Sequence, residues 1–114
     1  MMIKIYGIAN CDTIKKARKW LDEHSIDYDF HDYKKLGVPE KELKRWVKDA
    51  GWETLLNKRG TTWRKLNEKT RNSVNETSAI QIMLDNPSII KRPVLTKDKT
   101  ILIGYCKSEY AQLL

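Results

Sequence analysis

The hydrophobic period of the amino-terminal segment changes at Cys11. Apolar residues dominate Met2–Ile8, with Lys4 between them, which predicts a short buried strand ended by Gly7. From Thr13 onward, apolar residues recur at three- and four-residue spacing among lysines and arginines, which predicts an amphipathic helix. Cys11 is therefore predicted to lie where a strand passes into a helix.

The pattern after this helix predicts one more strand and then a long helical block. Ile26–His31 alternates apolar and polar residues, which predicts a half-buried strand with His31 on its solvated face. After Gly37 the spacing is helical over about fifty residues, where Pro39 suits a first helical position and Gly51 a helix end, and Thr77 or Ser78 is predicted to cap the last helix. The basic stretch Asn57–Leu66 is interpreted as a loop. The tryptophans are predicted to pack in the core and between helices: Trp20, Trp46, Trp52 and Trp63.

The last third of the chain predicts a hairpin followed by a short helix. The strands are Ile89–Leu95 and Ile101–Tyr105, joined by the turn-like Thr96–Thr100. Proline cannot donate to a strand ladder, so Arg92-Pro93 is an unusual point in the first strand, and a cis bond is an option there. Ser108 is predicted to open the terminal helix, with these residues facing inward: Tyr110, Leu113 and Leu114.

Length and composition predict one domain. A chain of 114 residues supports a single core. No Pro/Gly/Ser-rich linker flanks the helical block, so it is interpreted as an insertion of about residues 38–86. No signal peptide or membrane-spanning run is recognised, and we expect a cytoplasmic protein. The formal charge of +7 favours anionic partners, but the lysines are interleaved with apolar helix positions, which argues against nucleic-acid binding.

The two cysteines, Cys11 and Cys106, are too few for a disulfide framework. Ile14 stands where a Cys-x-x-Cys pair would need its second thiol, and the histidines show no metal-ligand spacing, so no metal site is predicted. The start of a helix favours a thiolate at Cys11, whereas the charge of Asp12 opposes it. Position alone leaves a reactive thiol and a packing residue as alternatives for Cys11. Cys106 is interpreted as a packing residue at the end of a strand rather than a resolving thiol.

Four segments resemble a known family: YGIANCDTIKKARKWL, FHDYKKLG, GWETLLNKRGTTWRKL and IIKRPVL. They are similar to the arsenate reductase (ArsC)/Spx family and, within it, to the YffB branch. The resemblance covers essentially the whole chain. It implies an α/β, thioredoxin-like fold in which a mixed sheet carries an inserted helical subdomain.

The resemblance also implies roles for individual residues. Cys11 matches the nucleophilic cysteine of the family's arsenate reductases, and Arg59 and Arg92 match two arginines that hold the anion. Pro93 matches the family's cis-proline, which places the preceding backbone beside the thiol. A third family arginine is replaced by Tyr105, which argues against arsenate as the physiological substrate.

The function expected from this resemblance is a glutathione-dependent thiol reductase or transferase. Cys11 would attack a disulfide or another electrophile, with glutathione as co-substrate and no metal. The carboxylates of glutathione would be held by Arg59 and Arg92, with help from Lys91 or Arg64. The alternatives are an arsenate reductase acting on an oxyanion, and a non-enzymatic Spx-like adaptor whose protein partner is RNA polymerase.

Overall fold

The computed structural model describes residues 3–113 of the chain. It divides into two compact units. The first combines the chain up to Leu36 with the chain from Arg92 onward, and the second runs from Gly37 to Lys91.

The elements follow one another in this order: β1 (Ile3–Gly7), α1 (Asp12–Glu23), β2 (Tyr28–Asp32), α2 (Tyr33–Leu36), α3 (Glu40–Ala50), α4 (Trp52–Leu55), α5 (Thr61–Lys65), α6 (Glu68–Asn72), α7 (Glu76–Asp85), β3 (Val94–Lys97), β4 (Thr100–Ile103) and α8 (Lys107–Ala111). A 3-10 turn at Pro87–Ile89 lies between α7 and β3.

The first unit is built on a four-stranded mixed sheet with the order β2-β1-β3-β4. β1 runs parallel to β2 and antiparallel to β3, so that Ile5 lies opposite both Phe30 and Leu95. The carboxyl ends of β1 and β2 and the start of β3 therefore meet at one edge of the sheet. The predicted thioredoxin-like mixed sheet is confirmed.

The core of this unit joins β1, α1, β3 and α8. The apolar stripe predicted for α1 is buried as expected, and Ala17 and Leu21 pack with Ile5, Leu95 and Tyr110 in one cluster. Full burial of side chains of this size contributes about 1.5–3 kcal/mol each for leucine and isoleucine. Burial of this stripe sets the face that α1 turns toward the sheet, and with it the position of the helix start.

The strands differ from the predicted ones mainly at their ends. Met2 lies outside the described residues, and β2 begins at Tyr28 rather than Ile26. The third strand begins only at Val94, because the cis-proline before it cannot donate to the ladder. The predicted cis bond between Arg92 and Pro93 is confirmed.

The hairpin is tighter than predicted. β3 and β4 are joined by residues 98–99 alone, and Asp98 has a φ of 55°. Aspartate tolerates this left-handed conformation better than most residues. Ile89 belongs to the 3-10 turn, and Ile90 forms an isolated bridge with Leu56 within the second unit. The predicted strand over Ile89–Leu95 was therefore wrong in its first half.

The second unit is helical, as predicted, but two of its details differ from the predictions. Pro39 precedes α3 as its N-cap rather than opening the helix, whereas Gly51 ends α3 with a φ of 90°, as expected. α5 occupies part of the stretch that was predicted as a basic loop. Trp46 is fully buried, while Trp52 and Trp63 are only partly buried.

Asn75 caps α7, so the prediction of Thr77 or Ser78 as the cap was wrong. The Asn75 side chain accepts a hydrogen bond from the Ser78 N–H at 3.0 Å. In return the Ser78 hydroxyl accepts from the Asn75 N–H at 2.9 Å. Ser78 thus takes part as the third helical residue of a reciprocal capping box.

The terminal helix begins at Lys107, with Cys106 as its N-cap. Tyr110 is fully buried and Leu113 packs against the core, as predicted. Leu114, which was predicted to face inward, lies outside the described residues. Within residues 3–113, no helix has the length and apolar character that a membrane crossing requires.

Replacement of the α7 cap should destabilise the protein. Asn75→Ala removes the hydrogen bond that the Asn75 side chain accepts from the Ser78 N–H, so the free energy of unfolding should fall by about 1 kcal/mol. The matched control is Thr77→Ala, which alters an exposed helical residue without a capping contact and should stay within about 0.5 kcal/mol of the wild type. Urea unfolding followed by circular dichroism measures both changes. A larger loss in Thr77→Ala than in Asn75→Ala would contradict the assignment.

Candidate active site

Cys11 is the N-cap of α1, as the change of period predicted. Its backbone is extended, with φ −146° and ψ 127°. Its carbonyl accepts a hydrogen bond from the Lys15 N–H at 3.0 Å, and its own N–H donates to the Ala9 carbonyl at 3.0 Å. The side chain is partly exposed and makes no capping hydrogen bond. The first N–H groups of a helix and its positive end attract an anion, although Asp12 in the first turn opposes this.

Gly7 brings α1 and the start of β3 close to the end of β1. A Cβ atom on Gly7 would collide with Cδ1 of Ile14 and would lie 3.9 Å from Cβ of Arg92. Ile14 lies three residues after Cys11, in the first turn of α1. The start of α1 and the residue before the cis-proline are thus held around one point of the backbone. The sequence identified Gly7 only as the end of a strand.

Arg92 presents an unpaired positive charge at this edge. Its side chain is half-buried, and among the residues the structure describes it makes no ion pair or side-chain hydrogen bond. Its backbone N–H likewise finds no acceptor within residues 3–113. Pro93 is buried, and its carbonyl accepts a hydrogen bond from the Gly104 N–H at 2.9 Å. The segment before β3 therefore offers both a cation and a backbone donor.

Tyr33 adds a buried phenol that the sequence analysis missed, because α2 was not predicted. It is only 2% exposed, and its hydroxyl has no hydrogen-bond partner among the described residues. Burial raises the pKa of Tyr33 well above its usual value, Tyr6 raises it further, and the nearby charge of Arg92 opposes both. Tyr33 therefore stays neutral at physiological pH and does not neutralise Arg92.

His31 belongs to an aromatic group rather than to a solvated face. It is half-buried, and its ring centroid lies 5.2 Å from that of Tyr6 and 6.0 Å from that of Tyr33. The alternation of apolar and polar residues did not predict these aromatic contacts of His31. The reason is that Tyr6, directly opposite on β1, supplies an apolar neighbour on the same face.

The other predicted anion-binding residues, Arg59, Arg64 and Lys91, belong to the second unit and are exposed. Arg64 lies in α5, and its guanidinium donates a hydrogen bond to the Arg59 carbonyl in the preceding loop at 3.2 Å. The Arg59 guanidinium makes no ion pair or hydrogen bond with another described residue. The Lys91 backbone N–H donates to the Leu55 carbonyl at 2.8 Å. Of the two arginines, Arg59 is thus the one whose charge is free for a ligand.

Cys106 is exposed, so its interpretation as a packing residue was wrong. Its Sγ lies 3.0 Å from the Ser108 hydroxyl. This hydrogen bond, together with the backbone N–H groups of Glu109 and Ser108, lowers the pKa of Cys106, while the charge of Glu109 opposes the shift. Both cysteines are free thiols, and neither belongs to a group of three or more potential metal ligands within residues 3–113.

Comparison with known proteins assigns the family. A model described as the ArsC family matches residues 6–113. The chain belongs to the ArsC family. A protein from Haemophilus influenzae, described only as uncharacterized, is 46% identical over 109 residues, covering 96% of each chain. The global transcriptional regulator Spx of Staphylococcus epidermidis is 28% identical, covering 99% of this chain and 87% of its own.

Solved structures of the ArsC family show the same fold. The structure of a YffB protein has a TM-score of 0.94 and 50% identity, covering 97% of each chain. The solution structure of an arsenate reductase (ArsC) related protein from Brucella melitensis has a TM-score of 0.80 and 51% identity, covering 98% of this chain and 93% of its own. The predicted resemblance to the ArsC/Spx family and its YffB branch is thereby confirmed.

Tyr105 stands where the resemblance implied a third arginine of the ArsC family. It follows Gly104, whose φ of 79° suits glycine. The Tyr105 ring packs edge-on against Tyr110, with ring centroids 5.0 Å apart. This position therefore holds an aromatic ring anchored to the core and no positive charge.

The hydrogen bond from Ser108 should control the pH dependence of Cys106 alkylation. A lowered pKa gives more thiolate at neutral pH, so Ser108→Ala should move the midpoint of the pH–rate profile upward and slow alkylation at pH 7. Glu109→Gln should move it downward, because Glu109 opposes the thiolate. The measurement is iodoacetamide alkylation in a Cys11→Ser background. Equal midpoints in all three proteins would show that Ser108 does not stabilise the thiolate.

Proposed function

We propose that this ArsC-family protein is a thiol-disulfide oxidoreductase that uses Cys11 as nucleophile and glutathione as co-substrate. The observation that supports this most strongly is the unpaired guanidinium of Arg92 beside the cis-proline, close to the start of the helix that Cys11 caps. An anionic thiol compound needs such a cation, and the reaction needs an accessible sulfur.

The proposed reaction consists of two exchanges. The Cys11 thiolate attacks the glutathione sulfur of a mixed disulfide, a bond forms between these sulfurs, and the substrate sulfur leaves as a thiolate that takes up a proton. A second glutathione thiolate then attacks the glutathione now bound to Cys11. Glutathione disulfide forms and the Cys11 thiolate is released, so the net reaction converts the mixed disulfide and one glutathione into the substrate thiol and glutathione disulfide.

Arg92 is the residue proposed to hold a carboxylate of glutathione. Its backbone N–H, which has no acceptor within residues 3–113, provides a second donor for an extended tripeptide, in the manner of strand addition. The anion-binding role of Arg59 stays a prediction from the resemblance, and Lys91 is proposed as a helper in holding the anion. Arg64 is the weakest of the proposed binding residues, because its guanidinium already donates to the Arg59 carbonyl.

Two alternatives within the family are distinguished by assay. Tyr105 supplies no charge for an oxyanion, which disfavours arsenate as substrate. The similarity to Spx over 99% of this chain supports an adaptor that binds RNA polymerase without chemistry. Arsenate-dependent oxidation of glutathione would favour the first alternative. A stable complex with RNA polymerase, without turnover of any disulfide, would favour the second.

Turnover should depend on Cys11 and not on Cys106. With hydroxyethyl disulfide, glutathione and a coupled glutathione reductase, Cys11→Ser should lose all activity above the uncatalysed rate, because no thiolate remains to form the mixed disulfide. Cys106→Ser is the matched control and should retain activity. Mild oxidation with glutathione disulfide should place glutathione on Cys11, as shown by peptide mass. A Cys11–Cys106 disulfide in high yield would replace the glutathione-resolved mechanism with a self-resolved one.

Arg92→Ala should weaken the use of glutathione. Loss of a charge-assisted hydrogen bond costs about 1.5–3 kcal/mol, which corresponds to a roughly ten- to hundredfold rise in the glutathione concentration needed for half-maximal rate. The matched control is Arg45→Ala, which removes a surface arginine that is paired with Glu42 at 2.8 Å. Steady-state kinetics over a range of glutathione concentrations measures both. An unchanged value in Arg92→Ala with an intact circular dichroism spectrum would remove Arg92 from the site.

A further inference from the structure

A concave surface lies within the first unit, between α1 and the segment Tyr105–Lys107. Its volume is about 610 Å³, which is within the range of about 300–1,000 Å³ that is usual for ligand clefts. We call it the α1 groove. It includes neither Cys11 nor Arg92 among its lining residues, so the proposed redox chemistry does not account for it.

The aromatic part of the α1 groove lining consists of Trp20 and Tyr105, and packing against Tyr110 holds both side chains in place. Trp20 is 9% exposed and packs edge-on against Tyr110, with ring centroids 5.6 Å apart. The His24 ring stacks on Trp20, with ring centroids 4.0 Å apart. The Tyr105 ring also packs edge-on against Tyr110, with centroids 5.0 Å apart. Because one buried ring anchors both Trp20 and Tyr105, little side-chain entropy is lost when a ligand covers them.

The rim of the α1 groove carries excess positive charge. Lys16 and Lys19 project from α1 and Lys107 from the start of α8, whereas Glu23 is the one acidic residue of the lining. All three lysines are exposed, and none lies within 4.0 Å of a carboxylate among the residues described. A negatively charged ligand could thus pair with these lysines without first breaking an ion pair among the described residues.

The spacing of these charges favours an extended ligand. From Lys16 to His24 the groove follows α1 for about 12 Å, at 1.5 Å per residue, which matches about four residues of extended peptide. The lysines are separate point charges without the fork geometry of arginine, which suits separate carboxylates better than one phosphate. The carboxyl end of α1 near His24 carries partial negative charge and favours an uncharged group there.

We propose that the α1 groove binds an acidic peptide segment in extended conformation. Its carboxylates pair with Lys16, Lys19 and Lys107, and one apolar or aromatic side chain covers Trp20 and Tyr105. This explains why an aromatic ring rather than an arginine occupies position 105. The carboxylates of the peptide would also balance part of the net charge of +7 of the chain.

The test is a titration of the full-length, ¹⁵N-labelled protein with an eight-residue peptide in which glutamates flank a central phenylalanine. Backbone amide shifts should change along α1 and at residues 105–107. Binding should weaken about five- to thirtyfold in the double variant Lys16→Glu, Lys107→Glu, because two attractions become repulsions. The matched control, Lys15→Glu with Lys99→Glu, reverses two exposed charges outside the groove lining and should bind within about twofold of the wild type.

A third variant tests whether weaker peptide binding in the groove double variant comes from loss of folding. Glu23→Gln removes the one repulsive charge and should tighten binding, which a damaged protein would not do. Cys11→Ser should bind the peptide as the wild type does, so the result is independent of the redox proposal. The α1 groove assignment is overturned by shifts that map elsewhere, by equal weakening in both double variants, or by no saturation at about 1 mM peptide. It is also overturned if ADP causes the same shifts at lower concentration, since the ligand would then be a small phosphate anion.

Discussion

The contact between β1 and α1 at Gly7 is the constraint on which the rest of the site depends. A Cβ atom at this position would collide with the end of the buried Ile14 side chain, so a larger residue there would force Ile14 in the first turn of α1 to shift. The contact at Gly7 determines where Cys11 stands as N-cap, and it leaves room for Arg92 on the neighbouring segment.

In the described part of the first unit, lysines and arginines form no ion pair with a carboxylate. The Tyr33 phenol interacts electrostatically with Arg92, but burial raises the pKa of Tyr33 and keeps the phenol neutral. The lysines of the α1 groove likewise have no carboxylate within ion-pair distance in the described part of the chain. Unpaired cations cost little at a surface but more when half-buried, as Arg92 is. Their retention is physically reasonable where an anionic ligand supplies the missing charge.

The two cysteines share a backbone position but differ in what surrounds them. Cys11 and Cys106 are both N-caps in extended conformation, with φ −146° and −139°. Cys106 is fully exposed and its thiolate is favoured by the Ser108 hydroxyl. Cys11 is partly covered and caps the helix whose Ile14 side chain lies, like Arg92 before the cis-proline, next to Gly7. An acidic thiol is therefore not by itself the mark of the proposed active site, because a binding surface must accompany it.

The sequence by itself determined the elements whose signal is local. The period change at Cys11, the buried stripe of α1 and the helix end at Gly51 were predicted, because residues near one another in the chain decide them. The local residues offered a cis bond before Pro93 as one option, and the family resemblance implied it. Even the cap at Asn75 had a local signal, in its spacing to Ser78, that was overlooked.

Only the tertiary structure decided the rest. It showed that Gly7 is a point of close approach, that His31 joins an aromatic group and that Tyr33 is a neutral neighbour of Arg92. It also showed that Tyr105 and Trp20 both pack edge-on against the buried ring of Tyr110. In each case the partner is distant in sequence, and no periodicity within one segment specifies which residue will lie opposite it.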